Sequence, residues 1–255
     1  MIDLHCHVLP GLDDGPRFLK ESLDMARTAV KNNIQTIVAT PHSLNGFFIN
    51  NWESIVSVTS SVQEAFTREN IAMDIYPGME VQMNPDLFKA LERGEAATIN
   101  NNGRYMLVEF PAFSMPAGAR EFIFKLKLQG ITPVIAHPER HLILQHELNQ
   151  LHELVQMGAL CQLTALSLTG EFGISVQKSA EQMIRTGLAH VIATDAHFDN
   201  DRINALAESV DLAANLLQDY KRAEQMVTTT PAAIIAGEDL DLPEPNLGRK
   251  KWWSF

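Results

Sequence analysis

Short apolar, β-branched runs recur along the chain, each closing on a polar or turn residue: Ile2–Cys6, Thr36–Thr40, Met73–Glu80, Tyr105–Phe110, Thr132–Ala136, Leu160–Thr164 and Val191–Thr194. Runs of this kind predict buried strands. Helical patterns lie between them. Leu23, Ala26, Arg27 and Val30 mark one face of the first helix at helical spacing. Further helices are predicted over 54–69, 118–129, 149–157, 176–186 and 203–218, with a short one over 85–93. Asn33-Ile34, Gly130-Ile131, Gly158-Ala159 and Gly187-Leu188 each set Gly or Asn before an apolar residue that opens a strand. That is the pattern of a left-handed helix stop whose next residue packs back on the last turn. Strand–helix alternation predicts parallel strands with helices outside. Seven strands at roughly 30-residue spacing suit an α/β fold closed as a TIM-like (β/α)7 barrel better than an open sheet. The expected organisation is one barrel domain over 1–238 and a C-terminal tail over 239–255, the tail acidic and proline-bearing first and basic-aromatic last.

Composition narrows the class. The chain has 255 residues, 45% hydrophobic and 20% charged, which excludes whole-chain disorder. No apolar stretch is long enough to span a membrane, and Met1-Ile2-Asp3-Leu4-His5 lacks the parts of a signal peptide. Lys and Arg number 20 against 31 Asp and Glu, a net charge of −11. Such an excess disfavours nucleic acid as a partner, since phosphate neutralisation needs basic residues. Two cysteines cannot build a disulfide framework, and a cytoplasmic location is expected.

The candidate chemistry lies at the strand ends. His5 and His7 close the first run two residues apart, so strand alternation sets both on one face and Cys6 on the other. His42 follows the second run, Glu80 ends the third, Glu109 the fourth and His137 the fifth. Asp195 and His197 follow the last run, and Asp14 lies in the loop after the first. On a barrel these positions meet at the C-terminal face, where active sites of this architecture sit. Taken singly, a His-x-His pair or a Glu at a strand end is weak. The conjunction, in which nearly every predicted strand delivers its His or acid at the same end, carries the reading.

Asp14, Glu80, Glu109 and Asp195 together carry −4, and the five imidazoles are neutral as ligands. Two divalent ions neutralise that set; three leave it at +2, complementary to a phosphate dianion. Nitrogen and oxygen ligands without thiolate suit Mn, Fe or Zn, two or three ions per chain. Asp13 is read as a structural turn former beside the ligand Asp14. Arg140, three residues past His137, and Arg202, five past His197, are expected on loops above the ions, where guanidinium grips phosphate. His141, His146, His152 and His190 fall outside the constellation, His141 nearest to it. Neither Cys6 nor Cys161 begins a Cys-x5-Arg loop, and no phosphate-binding or dinucleotide fingerprint occurs.

In order along the chain stand Ile2-Asp3-Leu4-His5-Cys6-His7-Val8-Leu9-Pro10-Gly11-Leu12-Asp13-Asp14-Gly15, Ala39-Thr40-Pro41-His42, Pro77-Gly78-Met79-Glu80, Ala136-His137-Pro138-Glu139-Arg140 and Thr194-Asp195-Ala196-His197. With these blocks the chain resembles the PHP (polymerase and histidinol phosphatase) superfamily. Within it, the likeness is to the bacterial metal-dependent protein-tyrosine phosphatases of the CpsB/CapC capsular polysaccharide family, from Met1 to about Ala236. The resemblance implies a distorted seven-stranded barrel, usually holding manganese, that dephosphorylates a bacterial tyrosine kinase and so regulates capsular or exopolysaccharide synthesis. It assigns the same nine ligands and supports Arg140 and Arg202 as phosphate contacts. Ser43 stands where relatives often carry a second His, and Ala165-Leu166 where they tend to be smaller and more polar. The expected reaction is hydrolysis by metal-activated hydroxide without a cysteinyl-phosphate. The alternatives are a small-molecule phosphatase of the histidinol-phosphate type and a non-catalytic metal-binding scaffold. The closing Arg249-Lys250-Lys251-Trp252-Trp253-Ser254-Phe255 suggests a contact with an anionic membrane surface or with the kinase.

Overall fold

The structure is a computed structural model, and it describes residues 1–198 and 200–247. Its elements run β1 (Ile2–Cys6), α1 (Leu19–Lys31), β2 (Thr36–Ala39), β3 (His42–Ser43), α2 (Trp52–Arg68), β4 (Asp74–Pro77), β5 (Glu80–Gln82), α3 (Leu87–Glu92), β6 (Tyr105–Glu109) and α4 (Ala119–Leu128). They continue β7 (Thr132–Ala136), α5 (Leu148–Gln156), β8 (Leu160–Thr164), α6 (Ala165–Thr169), α7 (Ile174–Thr186), β9 (Val191–Ala193), α8 (Asn200–Leu217), α9 (Tyr220–Gln225) and α10 (Thr229–Ala236). The last two helices and the short α6 have no counterpart among the helices predicted from periodicity. Each is eight residues or fewer, too short for a repeat to declare itself.

All strand pairs are parallel, in the orders β1-β2-β4 and β3-β5-β6-β7-β8-β9. The predicted run Met73–Glu80 is broken in two, and the run Thr36–Thr40 is followed by a further short strand with no counterpart among the predicted runs. Thr40-Pro41 separates β2 from β3, and Gly78-Met79 separates β4 from β5. Proline has no N–H to give the ladder, yet the register survives the break. Ala39 pairs with Pro77 and His42 with Glu80, the same offset on either side, bridged by Gly78 N to Ala39 O at 2.8 Å and Glu80 N to Pro41 O at 3.2 Å. On the other edge β9 returns to β1 through the Cys6–Ala196 bridge, with His7 N to Ala196 O and Asp195 N to His5 O both at 2.8 Å. The ladder therefore passes from β1 round to β9 and back, with the helices outside.

The helix stops hold this frame. Asn33, Gly130, Gly158 and Gly187 all take positive φ. The following residue donates back to the helix in each case: Ile34 to Ala29 O, Ile131 to Leu126 O, Ala159 to Leu154 O and Leu188 to Met183 O, at 2.9–3.1 Å. All four of those residues are buried, so each stop also aims the next strand into the core. At the start of α1 the Glu21 carboxylate accepts from Arg17 N at 2.6 Å and Phe18 N at 3.1 Å, satisfying two donors that the helix leaves open.

Inside the ring, Leu4, Val38, Leu107, Val134, Ala136, Val191 and Ala193 pack as a separate core closed below by Ile234 and Ile235 of α10. Residues 239–247, expected as a tail beyond the barrel, carry no helix or strand and lie across its N-terminal end. Leu240 and Leu242 pack against the inner core, Asp239 pairs with Arg104, and Asn246 N donates to Thr186 O at 2.8 Å. Arg249 to Phe255 lie outside the described residues. Among those described, no helix is long and apolar enough to cross a membrane.

Candidate metal centre

The nine candidate ligands arrive from the C-terminal ends of the strands and meet in one place. The hub is Glu80, whose side chain is fully buried. Its Oε2 lies 2.8 Å from His42 Nδ1 and 3.4 Å from both His5 Nε2 and His7 Nε2. Its Oε1 lies 2.9 Å from His137 Nε2, which in turn is 3.8 Å from Glu109 Oε1. Asp195 Oδ1 stands 3.3 Å from His5 Nε2 and 3.5 Å from His7 Nε2. Asp14 Oδ1 closes the outer side, 3.3 Å from His197 Nε2 and 3.7 Å from His42 Nε2.

Glu80 Oε1 and His137 Nε2 are hydrogen-bonded, but the closest approach in the cluster is not explained that way. Glu80 Oε2 and His42 Nδ1 are buried and make no hydrogen bond despite their 2.8 Å approach. His5 Nε2 and His7 Nε2 face each other at 3.1 Å, so at most one proton can sit between them. Three overlapping groups can each hold an ion: His7, Asp14, His42 and His197; His5, His7 and Glu80; and His42, Glu80 and Glu109. All donors are nitrogen or oxygen, so the set fits divalent cations of the Mn, Fe or Zn kind. Both thiols stand apart. Cys6 and Cys161 are fully buried, and burial pushes both thiols up, away from any reactive thiolate.

The local chain is shaped to make this approach. Gly15, after the Asp13-Asp14 pair, has no room for a side chain, because a Cβ there would stand 2.3 Å from His7 O. At Gly78 a Cβ would meet Val38 Cγ1 at 2.8 Å. His137 and Asp195, both non-glycine, take φ of 33° and 51° as their strands end. Backbone held in that region costs about 1–3 kcal/mol and persists where its surroundings enforce it.

Supporting residues orient the ligands. Asp13 Oδ2 takes the His7 Nδ1 proton at 2.6 Å and the His42 N–H at 3.0 Å, while Oδ1 accepts from Gly15 N at 3.0 Å. Gln162 Oε1 sits 2.9 Å from His5 Nδ1, which frees Nε2 to face the cluster. Asp3, buried below, accepts from Thr194 N, Thr194 Oγ1 and His5 N, tying β1 to the turn after β9. Glu139 takes the Ser167 hydroxyl at 2.6 Å and Thr164 N at 2.9 Å. Of these, sequence reading gave Asp13 only a turn role and assigned nothing to Gln162, Asp3 or Glu139. Signals were present: Asp3 shares the strand face of His5 and His7, and Gln162 is the lone strongly polar side chain inside an apolar run.

Arg140 Nη2 reaches Asp195 Oδ2 at 2.7 Å, and Arg202 Nη1 reaches the same oxygen at 3.1 Å. Both guanidinium groups also lie over the Phe172 ring, 5.2 and 5.6 Å from its centroid. Two cations thus crowd one carboxylate and one ring face at the edge of the centre. His141 stays outside the cluster, 3.3 Å from Ser114 O, and His190 lies at the opposite end, where burial and Arg222 lower it to about 4.

Charge is balanced locally. Burial works against the charged forms of His5 and His7, yet Glu80, Asp195 and, for His7, Asp13 outweigh it, so both hold protons more tightly than usual. Burial likewise opposes ionisation of Glu80 and Asp195, but the histidines on one and Arg140 on the other keep both well below the carboxylate range. The His197 contact takes Asp14 to about 2. Burial, then Glu80, push Glu109 up to about 7. Burial, then Arg140, bring His137 down to about 4, leaving its imidazole free to ligate.

The family model described as "Capsular polysaccharide synthesis, CpsB/CapC" matches residues 1–236. Tyrosine-protein phosphatase YwqE of Bacillus subtilis (strain 168) is 36% identical over 197 residues, 77% of each chain. A putative tyrosine-protein phosphatase CapC of Staphylococcus aureus is 31% identical and spans 100% of both chains. Among solved structures, that of the metal-dependent tyrosine phosphatases YwqE from Bacillus subtilis and CpsB from Streptococcus pneumoniae superposes with a TM-score of 0.91 at 30% identity, covering 98% of this chain and 100% of that one.

Proposed function

Because the chain belongs to the CpsB/CapC family of capsular polysaccharide synthesis, we propose that it is a metal-dependent protein-tyrosine phosphatase acting on a tyrosine-phosphorylated bacterial kinase in the cytoplasm. The observation that carries the reading is the convergence on buried Glu80 of four imidazole nitrogens at 2.8–3.4 Å, the closest of them with no hydrogen bond to explain the approach. His5, His7, Asp14, His42, Glu80, Glu109, His137, Asp195 and His197 would hold two or three divalent cations, manganese first. Bound there, such ions supply Lewis acidity toward phosphoryl oxygens and lower the pKa of water.

The chain's own residues do the rest. Arg140 and Arg202 already stand side by side over Asp195, fixed from behind by Phe172. Their guanidinium groups can take phosphoryl oxygens, so negative charge that spreads in the transition state meets preorganised donors. Gln162 and Asp13 keep His5 and His7 from turning. The tyrosine phenol, with a pKa of about 10, departs more readily than an aliphatic alcohol. Neither buried cysteine is placed to form a covalent intermediate.

The test is activity of the metal-stripped protein on a phosphotyrosine peptide and, in parallel, on histidinol phosphate, restored ion by ion. Restoration on the peptide, strongest with manganese, is expected. Preference for histidinol phosphate would move the assignment to a small-molecule phosphatase. Full metal occupancy with no hydrolysis of either would make the chain a binding scaffold.

A further inference from the structure

Beside the centre, between the ends of β6 and β7, lies a recess of about 230 Å³. Glu109, His137 and Arg140 edge its mouth. The rest of the lining is mostly apolar, with Phe110, Ile135, Pro138 and Leu144 buried and Ala112 exposed at the lip. Two loops make the far wall, and they are laced together. His141 Nδ1 accepts from Ile143 N and Leu144 N at 3.2 Å, so its proton sits on Nε2 and is donated to Ser114 O at 3.3 Å. Leu142 N donates to Ala112 O at 3.2 Å. The Phe110 ring stands edge-on to His141, centroids 6.4 Å apart and planes at 80°. The apolar character continues outward, since Phe113 and Leu142, one on each loop, are 82% and 49% exposed.

On the other sides Phe48 stacks on the His42 ring and Phe172 is covered by Arg140 and Arg202, whereas the recess is an open apolar volume that shares Glu109, His137 and Arg140 with the centre. Asp14, His42 and His197 make one flank, and Arg202 with Arg140 the other. An aryl phosphate carries its ring one ester oxygen from phosphorus, so a phosphoryl group held at the centre forces the ring against a wall that touches the centre. We infer that this recess seats the aromatic ring of the substrate, making Phe110, Ala112 and Leu144 the residues that select aryl over alkyl phosphates; the inference rests on the phosphatase reading above. The recess falls below the roughly 300–1,000 Å³ of sites that enclose drug-sized ligands, so it takes one ring and leaves the flanking peptide on Phe113 and Leu142. A phosphoserine side chain reaches the mouth but fills none of the apolar volume.

The test compares phenylphosphonate with methylphosphonate on the metal-loaded protein by calorimetry. The phenyl compound is expected to bind about 10- to 100-fold more tightly, the value of burying one ring. Ala112→Trp, at an exposed position on the lip, is expected to collapse that ratio to about threefold or less while methylphosphonate binding holds. Phe110→Ala is expected to act the same way and in kinetics to raise KM for phosphotyrosine with kcat little changed. If Phe110→Ala fails to fold, Ala112→Trp still decides. A phenyl-to-methyl ratio that survives Ala112→Trp, or that is absent from the unmodified protein, overturns the inference. A protein that keeps the ratio but hydrolyses no phosphotyrosine leaves the recess standing and refutes the phosphatase reading instead.

Discussion

Replacing Asp13 by Asn separates a residue that positions a ligand from one that is a ligand. The Asp13 side chain is fully buried and its two oxygens serve three donors: His7 Nδ1 at 2.6 Å, His42 N at 3.0 Å and Gly15 N at 3.0 Å. An asparagine can keep the first two only by turning its amide nitrogen toward Gly15 N–H, donor against donor. The His7 bond then survives without its charge. Hydrogen bonds to charged groups contribute about 1.5–3 kcal/mol against about 0.5–1.5 for neutral ones, so about 1–2 kcal/mol of ligand orientation is lost. That corresponds to roughly 10-fold in metal affinity, at the lower edge of the 10- to 100-fold typical for such partners of a metal-bound histidine. The assay titrates metal into stripped protein by calorimetry and follows turnover of a phosphotyrosine peptide against metal concentration. The Asp13→Asn midpoint should move up about 10-fold, with most of kcat regained at saturation. Asp14→Asn, which removes a proposed ligand, should not be rescued to that level. An Asp13→Asn variant that titrates with the unmodified midpoint would refute the reasoning.

His5→Ala and Asp195→Ala should abolish turnover while circular dichroism stays native, whereas Cys6→Ser and Cys161→Ser, at buried thiols, should keep most of it; loss of activity in a folded, metal-loaded double Cys variant would contradict a route without a cysteinyl intermediate. Metal affinity should rise with pH, because His5 and His7 hold their protons above the ordinary histidine range and must release them to ligate; calorimetry in buffers of different ionisation enthalpy should show proton release on binding, and none would count against these ligands. His190 should make stability pH-dependent. Its Nδ1 accepts from Cys161 N at 3.0 Å, and its folded value of about 4 lies below the ordinary 6.5. The unfolded chain therefore binds more protons between those values, and a contribution of about 3 kcal/mol, complete above pH 6.5, is lost as pH falls toward 4. Urea unfolding of His190→Asn, which retains an acceptor, should show a flatter profile over that window, and an unchanged slope would rule this source out.

The ends of the strands could be read from sequence because each is marked twice, by an apolar run that stops and by a polar residue where it stops. His42, Glu80, Glu109 and His137 stand out for that reason. The gaps that follow β2 and β4 carry a signal in Pro41 and Gly78, but their consequence does not. Only the pairing offset, preserved across the gap, sets His42 beside Glu80. Residues that act through others were the ones missed. Asp13 looked like a turn residue because Asp-Gly favours turns, and its grip on His7 depends on how the loop folds back. Phe172 carries no signal at all: a phenylalanine between α6 and α7 declares its purpose only when Arg140 and Arg202 are found over its ring.

Those supporting residues explain how so much charge can be gathered without tearing the fold apart. Buried carboxylates are tolerated where donors meet them, and here the donors come from different strands. Asp3 on β1 binds Thr194 after β9, Gln162 on β8 meets His5 on β1, and Glu139 after β7 holds Thr164 on β8. Each bond that orients a part of the site also clamps neighbouring or facing strands of the ring, so the ligands cannot spread to relieve their repulsion. Neutralisation can relieve it, by a proton on the His5–His7 pair or by cations in its place. With the proposed ligands, competition between those two neutralising agents for the same nitrogen atoms would couple occupancy of the centre to pH, and it would follow from the closure of the ladder through Cys6 and Ala196 as directly as from the histidines themselves.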